Sequence, residues 1–331
     1  MEKETTTGYS VVMDGEDDAL GALVMRGLTS LRREQLPTGE IPAYRLTSRG
    51  ALDYWRTPLL STFVHDSLGY FDPRCPWAET EVLALLPPAF TRPFVRLVDE
   101  VRRSIRAFTA WQEEQDGGWR LLGRGSGLEQ DLDTTACAAA VLLESPRAQK
   151  AASAAPHVAA LARLRRMASG TPNAVVDANC LRYLALAGGD DAGLEDAMRE
   201  AVASDSTASG TTYDVHPLCF YFVVARTWRQ AGLGGRADIA AQIVPRVLHL
   251  QDEEGEFGAP LGTALALSTL LDLGGDEASA AIRRGASTLA GAITRPGGSR
   301  WGFEDYLMHG FGSPSWATAL SIAVLARAYA R

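Results

Sequence analysis

The stretch LEQDLDTTACAAAVLL (residues 128–143) sets two carboxylates, Asp131 and Asp133, and two threonines at the mouth of an apolar helix. Asp and Thr both cap helix N-termini, and a cap is worth about 1 kcal/mol. The same residues can instead make an acid. A carboxyl group buried beside a like charge has a raised pKa and stays protonated nearer neutral pH. Asp131 would supply the like charge to Asp133, and Thr134, Thr135 or a nearby Asn would hydrogen-bond the anion left behind. The positive helix end opposes this by favouring the carboxylate. The outcome depends on where the fold puts this helix start.

Other residues offer chemistry of the same kind. Asn173, Asp177 and Asn179 open another apolar helix, as caps or as groups that orient an acid. DVHPLC (214–219) brings Asp214, His216 and Cys219 close in sequence, and His216 suits a hydrogen bond to Asp133. Trp55, Phe63, Tyr213, Phe220, Tyr221, Trp301, Phe303, Phe311 and Trp316 could line a cavity, or simply pack a core. Arg56, Arg182 and Arg300 lie near expected turns, where a guanidinium fork suits phosphate oxygens.

Composition narrows the partners. The chain has 331 residues, formal charge −8 and 46% hydrophobic residues, enough for a large core. The acidic balance and the lack of a basic stripe exclude a nucleic-acid partner. Cys75, Cys137, Cys180 and Cys219 show no CxxC spacing, and the last three sit in apolar runs as small hydrophobes. The polar, acidic start MEKETTTGYSVVMDGEDD lacks a signal-peptide pattern. No apolar run reaches the ~18 residues of a membrane span. These features imply a soluble, cytoplasmic protein whose residues 1–16 are disordered.

Repeats give the organisation. A helix ending in a polar run, then Gly, then an aromatic recurs in LRREQLPTGEIPAY (31–44), FTAWQEEQDGGW (108–119), LHLQDEEGEFG (248–258) and ITRPGGSRWGF (293–303). Two degenerate copies fit between the second and third. Amphipathic helices are expected near 17–35, 91–114, 154–168, 192–204, 236–254 and 278–294. Val95, Val98, Val101, Ile105 and Phe108 show their single apolar stripe. Helices apolar nearly all round are expected near 57–69, 133–144, 175–187, 215–230, 262–273 and 313–330. No useful stretch alternates with period two. Six outer and six inner helices make one all-α (α/α)6 barrel over residues 17–331. Each inner helix follows an outer one, so all six point the same way and their N-termini meet at one rim. Trp55, Asp133, His216 and Phe311 should therefore gather there.

On these features the chain resembles the class II terpene cyclases of the squalene-hopene cyclase and prenyltransferase-like superfamily. QDGGW is similar to the Gln–Trp repeat of triterpene cyclases, and DLDTTA to the Asp-x-Asp-Asp-Thr-Ala acid motif in its Asp-x-Asp-Thr-Thr variant. The resemblance implies that Asp133 is the general acid, with Asp131 at the first motif position and Thr134 replacing the third aspartate. It implies a linear isoprenoid substrate, closed into rings after protonation of an alkene or epoxide. Multidomain members carry a second helical domain with an acidic, magnesium-linked motif, which this chain is too short to hold. GGDDAGLED and GEDDA do not form the acidic pattern of ionisation-type synthases. The zinc set of the related prenyltransferase β-subunits needs an Asp-x-Cys spacing that DVHPLC lacks.

The expected function is a single-domain class II cyclase acting on farnesyl or geranylgeranyl diphosphate or a prenylated acceptor. No cofactor is required, and magnesium enters only as a companion of a diphosphate. Asn173, Asp177 and His216 would orient the acid. Two alternatives stand beside it. A carbohydrate-active barrel would pair Asp133 with Asp177 or Glu304 about 5–9 Å apart across an open groove. A non-catalytic barrel would bind a prenyl chain or a protein, with Asp133 as a solvated cap.

Overall fold

The computed structural model describes residues 16–46, 52–75, 77–84, 86, 88–143, 151–167, 173–189, 192–205, 217–294 and 311–331. In chain order the helices are α1 (Glu16–Glu34), α2 (Pro58–Gly69), the short α3 (Thr80–Ala84), α4 (Pro88–Gln112), α5 (Leu132–Leu143), α6 (Ala151–Met167), α7 (Ala174–Ala187), α8 (Ala192–Ala203), α9 (Pro217–Ala231), α10 (Arg236–His249), α11 (Pro260–Leu273), α12 (Ser279–Thr294) and α13 (Pro314–Tyr329). Helices α2, α5, α7, α9, α11 and α13 each pack on the next, and α13 closes the ring on α2. Helices α1, α4, α6, α8, α10 and α12 lie outside them. The chain is an all-α (α/α)6 barrel, as the two helix classes imply.

The periodicity has the expected cause. In α4 the buried stripe is Phe94, Val98, Val101, Ile105 and Phe108, with Val95 at its edge. In α11 every residue from Leu261 to Leu273 is buried. The inner helices run the same way. Phe63 in α2 meets Trp316 at the start of α13, ring centroids 4.9 Å apart. Just past the end of α2, the Tyr70 hydroxyl donates to both oxygens of Asp272 near the end of α11, at 3.3 and 3.2 Å. Arg327 near the end of α13 donates to Asp272 (2.6 Å) and pairs with Glu79 (3.0 Å). This buried ionic cluster closes the far end of the barrel.

A three-stranded sheet departs from the sequence reading. Strands β1 (Ala43–Leu46), β2 (Leu52–Trp55) and β3 (Phe311–Gly312) pair antiparallel in the order β2-β1-β3. Trp55 lies opposite Ala43, and Phe311 opposite Arg45. The sheet thus joins the backbone just before α2 to that just before α13. Strands of two and four residues are too short for a readable alternation.

Three repeat joints share one geometry. A turn follows each outer helix: Leu36 N–H donates to Glu40 O (2.9 Å), Glu114 N–H to Gly118 O (3.0 Å) and Asp252 N–H to Glu256 O (3.0 Å). The next residue then donates its amide to a hydroxyl on the following inner helix. These bonds are Ile41 to Ser61 (3.0 Å), Trp119 to Thr135 (3.0 Å) and Phe257 to Thr263 (3.1 Å). Gln35 and Gln251 staple their turns to the next outer helix, donating to Val101 O (3.3 Å) and Ala281 O (3.0 Å). In the second joint that place belongs to Glu113, which pairs with His157 of α6 at 3.0 Å, whereas Gln115 of QDGGW is exposed. Residues 295–303 of the fourth copy lie outside the described residues, as do residues 1–15 and, apart from Asn173 and Asp205, the two degenerate turns expected near 169–173 and 205–213; Glu16 already belongs to α1.

Candidate active site at the start of α5

The residues of DLDTT divide the work between them. The Asp131 amide donates to Trp119 O at 3.0 Å, and its Oδ1 accepts the Thr134 amide at 2.8 Å. Asp131 is therefore the cap. Thr135 is the tie, holding the Trp119 amide. Asp133 does neither. Its Oδ1 accepts a hydrogen bond from Asn179 Nδ2 of α7 at 2.7 Å. Burial lifts the Asp131 carboxyl to about 6; the Thr134 amide pulls it down, and the Asp133 charge adds to the rise.

Behind Asn179 stands a buried ionic chain. Asn179 Oδ1 accepts from Arg226 Nη2 of α9, which fixes which end of the amide faces Asp133. Arg226 Nη1 donates to Asp66 Oδ2 of α2 at 3.1 Å, and Arg182 Nη1 of α7 donates to the same oxygen at 2.6 Å. Arg182 also donates to Gln230. In the ring α2 and α9 are not neighbours, so the Asp66–Arg226 bond crosses the barrel interior. Burial alone would raise the Asp66 carboxyl, but Arg182, His65 and Arg226 together hold it well below the usual range. His65, buried and close to Arg102, is pushed down to about 3 and is neutral at ordinary pH.

Aromatic rings gather on the same wall. The Arg226 guanidinium lies 5.1 Å from the Phe63 ring centroid and 5.4 Å from that of Phe222. Trp316 lies 4.9 Å from Phe63 and 6.4 Å from Phe222. Asp133, Asn179, Arg226, Phe63, Phe222 and Trp316 therefore converge from five of the six inner helices.

Several expected positions need correction. Asn173 does not orient the acid; its side chain caps α7, accepting from the Val175 and Val176 amides at 3.1 and 3.3 Å. Asp177 is half-buried in the first turn of α7, raised by burial and offset by Arg165 of α6. Asn179, two residues on, makes the contact instead. Arg182 is no rim residue, because its buried guanidinium is engaged by Asp66 and Gln230. Tyr221 turns outward and donates to Asp205 at 2.8 Å. Phe220 lies about 200° around the helix from Phe222, so Phe222 holds the inner position. Arg56 is exposed, bonded to Glu40 at 3.2 Å and placed 5.9 Å from the Trp111 ring. Tyr213, His216, Arg300, Trp301, Phe303 and Glu304 lie outside the described residues; Trp55 and Phe311 enter through their backbone alone.

Asp66, Arg226 and Phe222 were legible but missed. Arg and Asp inside nearly all-apolar helices, as in STFVHDSLG and FVVARTW, must be buried, and buried charges are paired. Among the described residues no three His, Cys, Asp or Glu side chains group as metal ligands, and no helix is long and apolar enough to cross a membrane.

No family model and no curated protein matches this chain. Solved structures do match in fold. A variant of the type II terpene cyclase MstE from Scytonema, without ligand, superposes with TM-score 0.65 at 15% identity, covering 95% of this chain and 99% of that one. A protein from Actinoplanes superposes with TM-score 0.61 at 16% identity, covering 94% and 99%. The ent-copalyl diphosphate synthase from Streptomyces platensis superposes with TM-score 0.58 at 14% identity, covering 97% of this chain and 70% of that one. At these identities the likeness is one of fold: the chain has the helical architecture of the type II terpene cyclases.

Proposed function

We propose that this protein is a class II terpene cyclase in which Asp133 protonates the terminal alkene or epoxide of a linear isoprenoid. One observation carries the reading. In a motif where capping would explain both aspartates, Asp131 makes the cap. Asp133 accepts a hydrogen bond from Asn179, which Arg226 links to an aromatic wall. An acid aimed at a carbon–carbon double bond needs its conjugate base stabilised, and Asn179 donates to that oxygen. The cation then formed must be shielded from water. Aromatic faces do this, each desolvated cation–π contact being worth about 2 kcal/mol. Phe63, Phe222 and Trp316 supply such faces within the described residues.

The substrate is farnesyl or geranylgeranyl diphosphate or a prenylated aromatic acceptor. The last belongs in the test because MstE has been solved with geranylgeranyl dihydroxybenzoate as its substrate. Protonation starts at the end of the chain far from the head group, so a diphosphate survives into the product. Arg56, exposed and bonded to Glu40, is kept as a candidate contact for an anionic head. Protonation itself needs no metal; magnesium would act only by binding a diphosphate. The test incubates the protein with each substrate class and assays cyclised product beside free pyrophosphate, with and without chelator. Cyclised product with its head group intact supports the reading. Stoichiometric pyrophosphate release during cyclisation would overturn it.

A further inference from the structure

Asp133 does not stand alone against a neutral wall. Two buried guanidiniums, Arg182 and Arg226, share a single carboxylate, Asp66, through the same oxygen. Arg226 then turns its other nitrogen to Asn179, which passes the contact to Asp133. We propose that Arg226 is a positioning residue for the acid. It locks the Asn179 amide with its N–H toward Asp133, and its charge makes ionised Asp133 the electrically balanced state of the cluster.

Along this hydrogen-bonded chain, ionised Asp66 and Asp133 balance Arg182 and Arg226, while Asp131 adds a further like charge beside Asp133. Protonating Asp133 removes the negative charge that the chain sets beyond Arg226, in a buried site where unbalanced charge is costly. Arg226 itself is drawn down by burial and by Arg182, and held up by Asp66, Cys137 and Asp133. An arginine keeps its proton in this setting. Donation from Asp133 to an alkene restores the balance, so the cluster favours the step that the proposed reaction needs. This inference rests on that reaction for its purpose, though its electrostatics can be measured without it.

The other groups around Asp133 do not reproduce this effect. On α5 itself Asp131 adds like charge, and the buried Cys137 thiol is raised far above its usual range. From α7, Cys180 is raised likewise, and Asp177 is offset by Arg165 of α6. From α2, His65 is neutral and meets Arg106 of α4 at 3.2 Å. Arg102 of α4 bonds Asp72, and His157 and Arg163 of α6 are engaged by Glu113 and Asp116. Arg226 reaches Asp133 through one side chain, Asn179.

The test titrates the Asp133 carboxyl directly. Its infrared C=O band is isolated by subtracting the Asp133→Asn spectrum, with no ligand present. Removing an opposite charge raises a carboxyl pKa, by about 1–3 units for direct contact. Acting through Asn179, Arg226→Gln should raise the Asp133 midpoint by about one unit. Asp66 keeps Arg182 in that variant. Asp66→Asn leaves both cations uncompensated and should move the midpoint the opposite way by a similar amount. Arg226→Lys keeps the charge and should stay near wild type. In turnover, the limb where activity falls with rising pH should follow the same shifts. Unmoved midpoints, with only melting temperatures altered, would reduce Arg226 to a structural role and overturn the inference. Either charge variant alone decides, should the other fail to fold. Shifted midpoints in a protein that cyclises no isoprenoid would instead uphold Arg226 and remove the functional reading.

Discussion

The start of α5 and the start of α11 are the same joint built twice, and they differ where chemistry would be. Thr135 and Thr263 are equivalent, each accepting the amide of the large apolar residue after the turn. Two residues earlier stand Asp133 in one and Leu261 in the other; four earlier stand Asp131 and Ala259. The joint at α2 agrees with the second pattern, with Ser61 as tie, Leu59 and Thr57. Thr57 makes no side-chain cap and Ala259 cannot. Two copies show that this joint folds without a carboxylate at the start of the inner helix. What the fold does not need at α5 is what the proposed reaction does.

The largest effect should follow from removing that difference. Asp133→Asn keeps shape and loses the proton, so turnover should fall by about 10²–10⁴-fold, the usual worth of general acid catalysis. The variant should still fold, since two sister joints carry Leu there, but it should melt somewhat lower near neutral pH, because a neutral amide leaves the Arg226 charge without its counterpart. Product analysis beside thermal melting reads both. Near-normal turnover would end the assignment of Asp133 as the acid.

The second test concerns what the joints share. Gly39 (φ 90°) and Gly255 (φ 91°) adopt a left-handed backbone, which costs a side chain about 1–2 kcal/mol. A Cβ on Gly39 would also run into the Ser104 carbonyl of α4, whereas on Gly255 it would sit 3.1 Å from the Arg284 Cβ and 3.2–3.3 Å from its carbonyl in α12. The deeper overlap costs more. Gly39→Ala should therefore destabilise by about 2–5 kcal/mol, strain and overpacking together, and Gly255→Ala by less. Equal losses in calorimetry would show that the turn conformation alone sets the cost.

The third test separates tie from site. Thr135→Val and Thr263→Val each strand one buried amide, at about 1–3 kcal/mol. Their melting temperatures should fall together. Only Thr135→Val should also reduce product formation, because it loosens the helix turn that carries Asp133. Equal activity in the two variants would mean that the joint does not position the acid.

How much of this was readable follows from the same residues. The twelve long helices were legible because an outer stripe such as Val98–Val101–Ile105 and an all-apolar run such as 261–273 have different periods. The sheet was not, since β3 is Phe311–Gly312 alone. At the site, DLDTT was legible as a choice between cap and acid, and only coordinates divide it between Asp131 and Asp133. Asn173 looked as good a partner as Asn179, because both open one helix. Their difference is rotation about α7, which sequence registers only against a known neighbour. Asp66–Arg226 joins residues 160 apart along the chain, beyond any local pattern.

The smallest effect concerns the cap, and its sign is opposite to that of an ordinary paired carboxylate. Asp131 titrates at about 6 in the folded protein, because burial penalises its charge. Unfolded, it would titrate at about 3.9. Between those values the folded state holds the extra proton, so stability is lost as pH rises from about 4 to about 6 and does not return above that. A shift of two units corresponds to about 3 kcal/mol, which partial solvent contact reduces to about 1–2 kcal/mol. Asparagine caps as well as aspartate and keeps the oxygen that accepts the Thr134 amide. Asp131→Asn should therefore match wild type near pH 4 and melt about 2–4 °C higher at pH 8. Turnover should weaken far less than in Asp133→Asn, since Asp131 tunes the acid without donating. The start of α11, with Ala259 in the same place, carries no such dependence. Melting curves for wild type and variant that run parallel from pH 4 to pH 8 would show that the Asp131 charge is solvated, and would remove its share in raising the acid.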